Sequence, residues 1–308
     1  MIDVTLLGTA ATMPLAERAL SAARLRCAGR SILFDCGEGT QTAARRAGVS
    51  LMKTDLIALT HYHGDHIFGL PGLMQTLGCL GRTEPLFITG PEGLENAMRP
   101  ILLLAGGLPY PVRLITERNI RLSALHPQWP EGAVLESFAV SHRVSAQGYR
   151  FSLSRPPKFD PEKAKALGIP VQYWKQIQNL PPDGVFCADG MCIHAGDVTG
   201  EPRKGLRVVF SGDTAPCESL EKMSAGADLL ICDATYGKDE QQELAALYGH
   251  STFREAGELA GRADVSRLWL THFSQTAEPE TDIENAKAAF PNAECGEDGK
   301  TETLTFFD

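Results

Sequence analysis

Six consecutive residues, His61-Tyr62-His63-Gly64-Asp65-His66, carry three imidazoles and a carboxylate, and they directly follow the apolar run Leu56-Ile57-Ala58-Leu59-Thr60. Such a run reads as a buried strand, which places the cluster on a loop at a strand end. Neutral imidazole nitrogens and carboxylate oxygens are the ligands that borderline divalent ions such as zinc prefer, and four of them on one short loop can serve two ions. The fold is constrained accordingly. One short loop cannot close two coordination shells, so other strand ends must deliver ligands to the same place.

The remaining histidines supply candidates. His142 follows the strand-like Val134-Leu135-Glu136-Ser137-Phe138-Ala139-Val140, Asp213 sits in Ser211-Gly212-Asp213-Thr214 after Val208-Val209-Phe210, and His272 follows Leu268-Trp269-Leu270. His250 lies in Gly249-His250-Ser251-Thr252. The last two histidines, His126 and His194, stand beside proline, glycine and polar residues and read as loop or surface positions.

At 308 residues and 43% hydrophobic, the chain can bury one large α/β core more readily than two independent ones. No charged leader with an apolar centre opens it, and no apolar run approaches the ~18 residues of a membrane span, which predicts a soluble, cytoplasmic protein without membrane partners. The cysteines at 27, 36, 79, 187, 192, 217, 232 and 295 are scattered without a CxxC pair, so reduced core thiols are expected. A zinc knuckle at Cys187 and Cys192, near His194, lacks a fourth ligand.

Strand-like and helical stretches alternate in two halves, from Ile2 to about Gly148 and from about Arg207 onward. Apolar residues at three- or four-residue spacing predict helices over Thr42 to Ala47, Leu70 to Leu80, Glu92 to Ala105, Cys217 to Ser224, Thr252 to Gly261 and Glu280 to Phe290. Between the halves, residues 150–207 hold seven of the 19 prolines, Pro156-Pro157 and Pro181-Pro182 among them, and read as an extended, partly irregular insertion. That segment carries nine Lys or Arg against six Asp or Glu, a balance of +3, which leaves −12 on the rest of a chain whose net charge is −9. A basic projection on an acidic body can grip phosphate where the body does not; a solvated loop is the plainer reading.

The motifs Leu7-Gly8-Thr9, Phe34-Asp35-Cys36-Gly37-Glu38-Gly39-Thr40-Gln41, Phe68-Gly69-Leu70-Pro71-Gly72-Leu73, Ser211-Gly212-Asp213-Thr214 and His250-Ser251-Thr252, together with the HxHxDH loop, resemble in order and spacing the ribonuclease Z family of the metallo-β-lactamase superfamily. The resemblance spans nearly the whole chain. It implies a single αββα sandwich over residues 1–308, two sheets face to face with helices outside, into which 150–207 is inserted as an exosite-like arm that holds the tRNA elbow; periodicity alone says only α/β. The chain departs from the family pattern at Arg18-Ala19 (often Arg-Asn), at Cys232-Asp233-Ala234-Thr235 (usually His-Glu-Ala-Thr) and in the arm, where Ile169 to Gln178 contains only Lys175 as a charged residue. Tyr173 and Trp174 there can stack on a base or pack against the arm's own stem.

By the same resemblance, His61, His63 and His142 hold one Zn2+ and Asp65, His66 and His272 a second, with Asp213 bridging; Mn2+ is an alternative metal. Asp65 also orients the attacking water, His250 protonates the departing oxygen, and Asp233 holds His250 in its tautomer. Gly8, Gly37, Gly39, Gly64 and Gly212 allow tight turns through which backbone amides can face a phosphate, although ordinary turns explain each singly. The implied activity is endonucleolytic removal of 3′ trailers from precursor tRNA by a homodimer, leaving a 3′-hydroxyl. A hydrolase of small phosphodiesters or other esters is the alternative, and the intact ligand set argues against a non-catalytic RNA binder.

Overall fold

The computed structural model describes residues 1–180 and 183–306; Pro181 and Pro182 of the expected extended stretch lie outside the described residues. The chain divides into two compact units, residues 1–152 with 207–308, and residues 153–206.

In chain order the strands are β1 (Ile2–Gly8), β2 (Ala22–Cys27), β3 (Arg30–Phe34), β4 (Thr54–Ala58), β5 (Leu86–Thr89), β6 (Val112–Ile115), β7 (Asn119–Arg121), β8 (Ala133–Ala139), β9 (Gln147–Arg155), β10 (Val185–Ala188), β11 (Met191–His194), β12 (Arg203–Phe210), β13 (Leu229–Asp233), β14 (Leu268–Thr271), β15 (Ala293–Cys295) and β16 (Thr301–Leu304). Two seven-stranded sheets form, ordered β16-β1-β2-β3-β4-β5-β6 and β15-β14-β13-β12-β9-β8-β7. Each contains a parallel run, β3 to β6 and β12 to β15, and β16 closes the first sheet by pairing antiparallel with β1.

Strands β3, β4, β13 and β14 are buried at every position, as parallel strands covered on both faces must be. Alternation decides which layer each side chain meets. Leu33 and Ile57 pack with Leu70, Leu73 and Met98 of the helices Leu70–Cys79 and Leu94–Ala105. Phe34, one residue on, stacks instead on Phe210 of the other sheet at 5.2 Å between ring centroids. In the second sheet Val209, Leu230 and Cys232 meet Phe253, Leu259 and Ile283 of the helices Phe253–Arg262 and Pro279–Ala289. Helices therefore cover the outer face of both sheets, the αββα sandwich. No helix among the described residues is long and apolar enough to cross a membrane.

The six expected helices form as Thr40–Arg46, Leu70–Cys79, Leu94–Ala105, Glu218–Ser224, Phe253–Arg262 and Pro279–Ala289. The expectation of an extended, irregular insertion is corrected. Residues 153–206 contain the helices Pro161–Ala166 and Val171–Gln178 and the β10–β11 hairpin, around a small core of Ala164, Ile169, Ile177, Ala195 and Val198. Two of the insertion's prolines start helices rather than breaking them. Pro161 occupies the first turn, where its missing N–H is no loss, behind an Asp160 cap that accepts from the amides of Glu162 and Lys163, and Pro170 caps the next helix. Tyr173 packs on Phe186 and Trp174 on Phe159, while the Trp174 indole donates to the Ile169 carbonyl, so both rings are engaged within their own unit.

Cysteine pairing is also corrected. Cys187 and Cys192 face each other across the β10–β11 hairpin, Cα atoms 4.2 Å apart, and form a disulfide instead of free thiols. Cys79 is exposed, and Cys217 and Cys295 are half-buried, so only Cys27, Cys36 and Cys232 are core thiols.

Candidate metal centre

The candidate ligands sit just beyond the carboxyl ends of β4, β8, β12 and β14, which is where an α/β sheet leaves its strand-to-helix loops. His63 caps the short helix Gly64–Ile67, whose first turn brings the His66 amide to the His63 carbonyl and folds the HxHxDH loop back on itself. Two glycines permit close packing here. A Cβ on Gly37 would lie 2.3 Å from the Asp65 carbonyl, and Gly212, at φ 61°, leaves no room for one against Thr60.

The donor atoms converge. Those of His61, His63, His142 and Asp213 all lie within 4.8 Å of one another, as do those of Asp65, His66 and His272. Asp213 spans the two groups: one carboxylate oxygen is 3.3 Å from His66 Nε2, and the other is 3.3 Å from His272 Nε2 and 3.6 Å from His61 Nε2. Asp65 Oδ2 is 3.5 Å from His272 Nε2 and accepts a 2.8 Å hydrogen bond from the Thr12 amide.

Four of the five candidate ligand rings are aimed by their other nitrogen. His142 Nδ1 donates to the Gly249 carbonyl at 2.8 Å, His272 Nδ1 meets Thr235 Oγ1 at 2.8 Å, and His61 Nδ1 meets Thr60 Oγ1 at 3.1 Å. His66 Nδ1 donates to Asp35 at 2.7 Å. Asp35, to which the sequence motif alone assigns no role, thus orients one of the candidate ligand rings. Its signal is a carboxylate directly after the apolar strand β3, the same sign that marks the other strand-end ligands.

Divalent ions fit this centre. His142 Nε2 is buried with no hydrogen-bond partner, and because Nδ1 carries the proton toward a carbonyl, Nε2 presents a lone pair into the cluster. His61 Nε2 and His63 Nδ1 stand 2.9 Å apart with two further imidazoles beside them, a crowd of acceptors that a cation would organise. Burial pushes His61 down to about 2 and also lowers His63 and His142, which keeps all three in the neutral form that binds metal. Asp213 is held well below the usual carboxylate range: burial opposes its charge, but His272 and His66 outweigh that.

His250 lies at the edge of the cluster, its ring stacked on His272 at 5.3 Å. Local sequence places it there. Gly249, in the left-handed conformation, ends the helix Gln242–Tyr248, and Thr252 starts the next with a capping box to Glu255, so His250 is held in the short turn between them. Its Nδ1 is 2.7 Å from Asp233 Oδ2. Asp233 is fully buried and also accepts from the Thr214 amide and from the Thr235 amide and hydroxyl. Burial pushes His250 toward neutrality, but Asp233 overrides it and raises the imidazole to about 9. His250 also lies within 4.8 Å of the Asp213 and His272 donor atoms, close enough to reach a group bound there. His126 sits half-buried in a loop beside Glu84, and His194 is exposed at the end of β11; neither approaches the cluster.

Residues 25–113 match the family model of the metallo-beta-lactamase superfamily, and residues 194–273 match that of the beta-lactamase superfamily domain. The chain is 38% identical over 307 residues to ribonuclease Z of Lachnoclostridium phytofermentans, with 99% of both chains covered. It is 39% identical over 311 residues to ribonuclease Z of Lachnospira eligens, covering 100% of this chain and 99% of that one. Among solved structures it is similar to the short form of human tRNase Z, with a TM-score of 0.67 and 27% identity over 99% of this chain and 100% of that one.

Proposed function

The chain belongs to the ribonuclease Z family, and from that membership we infer that it is a metal-dependent endoribonuclease that removes 3′ trailers from tRNA precursors and leaves a 3′-hydroxyl. The observation that carries the chemistry is the His250–Asp233 pair beside the ligand cluster. A ribose oxygen is a poor leaving group, and a proton donor still charged at neutral pH is what its departure needs.

In this reading His61, His63 and His142 hold one zinc ion and Asp65, His66 and His272 the other, with Asp213 shared; the unpartnered Nε2 of His142 supports the first assignment. Mn2+ suits the same oxygen and nitrogen donors. When bound, two such ions lower the pKa of water toward neutrality and neutralise charge on the phosphate. Asp65, pinned by the Thr12 amide, orients the attacking water. His250 gives its proton to the leaving 3′-oxygen, and Asp233 stabilises the imidazolium and fixes its orientation. The unit 153–206 is the exosite that grips the tRNA elbow. With Tyr173 and Trp174 engaged in its own core, that grip falls to its basic side chains on phosphate. The enzyme acts as a cytoplasmic homodimer.

Incubation with a precursor tRNA and with bis(p-nitrophenyl) phosphate, each with zinc and with manganese, tests the reading. Cleavage of both substrates, abolished by exhaustive chelation and restored by metal, is expected. Full activity after chelation overturns the metal assignment, and hydrolysis of the diester alone returns the small-phosphodiester alternative.

A further inference from the structure

Two exposed side chains flank the proton donor. Arg143 follows His142 directly and Tyr248 precedes His250 by two residues; the Arg143 guanidinium carbon lies 4.9 Å from the centroid of the Tyr248 ring. The two segments are laced together. The Gly249 carbonyl accepts from His142, and a Cβ on Gly249 would come within 3.1 Å of the Arg143 amide nitrogen. The stacked pair is therefore fixed to the His142 and His250 rings, whose centroids are 5.0 Å apart.

Stability does not explain this arrangement. An exposed cation on an aromatic face contributes little to folding stability. Among the described residues only Phe68 and Tyr248 are exposed aromatics, and Arg143 forms no ion pair, so its charge is left available.

Resting on the ribonuclease reading, we propose that Arg143 and Tyr248 form the subsite for the nucleotide whose 3′-oxygen leaves, its base stacking on the pair. The argument is one of reach. If His250 protonates that oxygen, the ribose bearing it lies against His250, and its base falls within one nucleotide's length of the ring. Unpaired bases stack on tyrosine rings and on guanidinium planes alike. The Arg143 charge also meets the phosphate on the 5′ side of the same nucleotide. Because every base has a π-face, this subsite accepts any of them.

The test is a double-mutant cycle between protein and substrate. The metal-loaded protein and Tyr248→Ala are each assayed on a precursor RNA that is intact, or abasic at the nucleotide 5′ of the scissile bond. On intact RNA, Tyr248→Ala is expected to lower kcat/KM roughly 5- to 150-fold, mainly through KM, as loss of one stacked base implies. Tyr248→Phe, which keeps the ring, retains most of the activity. Removing the base costs the unsubstituted protein a similar factor and costs Tyr248→Ala little more. Arg143→Ala, at an exposed position, repeats the comparison with a second variant. Losses that multiply instead of merging, or a Tyr248→Phe as damaged as Tyr248→Ala, overturn the subsite while leaving the nuclease reading intact. An unsubstituted protein that leaves RNA uncut overturns both.

Discussion

Asp35 Oδ2 accepts a 2.7 Å hydrogen bond from His66 Nδ1, and both side chains are completely buried. Asp35 also takes hydrogen bonds from the Thr60 amide and hydroxyl, at 2.7 and 2.8 Å, and adopts a left-handed φ of 55° to do so. It follows β3, whose parallel pairing sets Phe34 opposite Ala58, so one carboxylate anchors both the loop that carries the ligands and the ring of one ligand.

Asp35→Asn therefore leaves three donors facing a group with a single acceptor oxygen. Metal affinity is expected to fall about 10- to 100-fold, with activity falling alongside at limiting metal and recovering in part at high metal. Competition with a calibrated chelator measures this. Unchanged affinity would show that Asp35 does not tune the centre.

His250, the proposed proton donor, has a pH signature. A general acid works in its protonated form, so with His250 raised to about 9, kcat/KM on precursor RNA should hold through neutrality and fall as pH rises through that value. His250→Ala removes this alkaline limb and depresses the rate at neutral pH by about 10²- to 10⁴-fold, the usual contribution of a positioned acid. The same substitution should cost much less on bis(p-nitrophenyl) phosphate, whose leaving group needs little protonation. Equal losses on both substrates, or a lost ion, would make His250 a ligand.

Stability has its own focus away from the centre. Arg30 Nε donates to Asp55 Oδ2 at 2.8 Å and the Trp129 indole donates to the same oxygen at 2.7 Å; Arg30 is 1% and Asp55 2% exposed. Asp55→Ala strands a buried guanidinium and should cost about 3–5 kcal/mol, nearer the lower figure because Glu84 still reaches Arg30. Glu84→Ala, at a partly exposed carboxylate, should cost under about 1 kcal/mol. Urea unfolding of both variants provides the comparison, and similar losses would contradict the ranking.

These residues also show what a sequence displays. Each ligand histidine and Asp213 follows an apolar run, so strand and loop chemistry are visible together in one stretch, and Thr252 with Glu255 announces its helix through a local capping box. Asp35 is different. Its role arises only when β3 pairs with β4, a contact 25 residues away in the chain. In residues 150–207, counting proline as a breaker misleads, because Pro161 and Pro170 stand at helix starts. Cys187 and Cys192 give no sign of pairing until the hairpin turn between them is known.

None of the proposed ligands lies in the unit 153–206, so its proposed RNA binding can be separated from the chemistry. Replacing residues 156–202 by a short Gly/Ser linker should leave hydrolysis of bis(p-nitrophenyl) phosphate nearly intact and lower precursor tRNA cleavage sharply, chiefly through KM. If its basic residues grip phosphate, the affinity of the intact chain for tRNA should fall steeply with added salt, and the linker variant should show a shallower slope in proportion to the phosphate contacts removed. The inference turns on charge and not on stacking, since Tyr173 and Trp174 are occupied in the unit's own core. Tyr173→Ala should accordingly act through loss of that packing, lowering stability together with tRNA affinity, whereas exposed Lys175→Ala should weaken binding with stability unchanged. Equal tRNA processing by the intact and linker proteins would remove the exosite assignment and leave the catalytic centre as the whole of the RNA-binding surface.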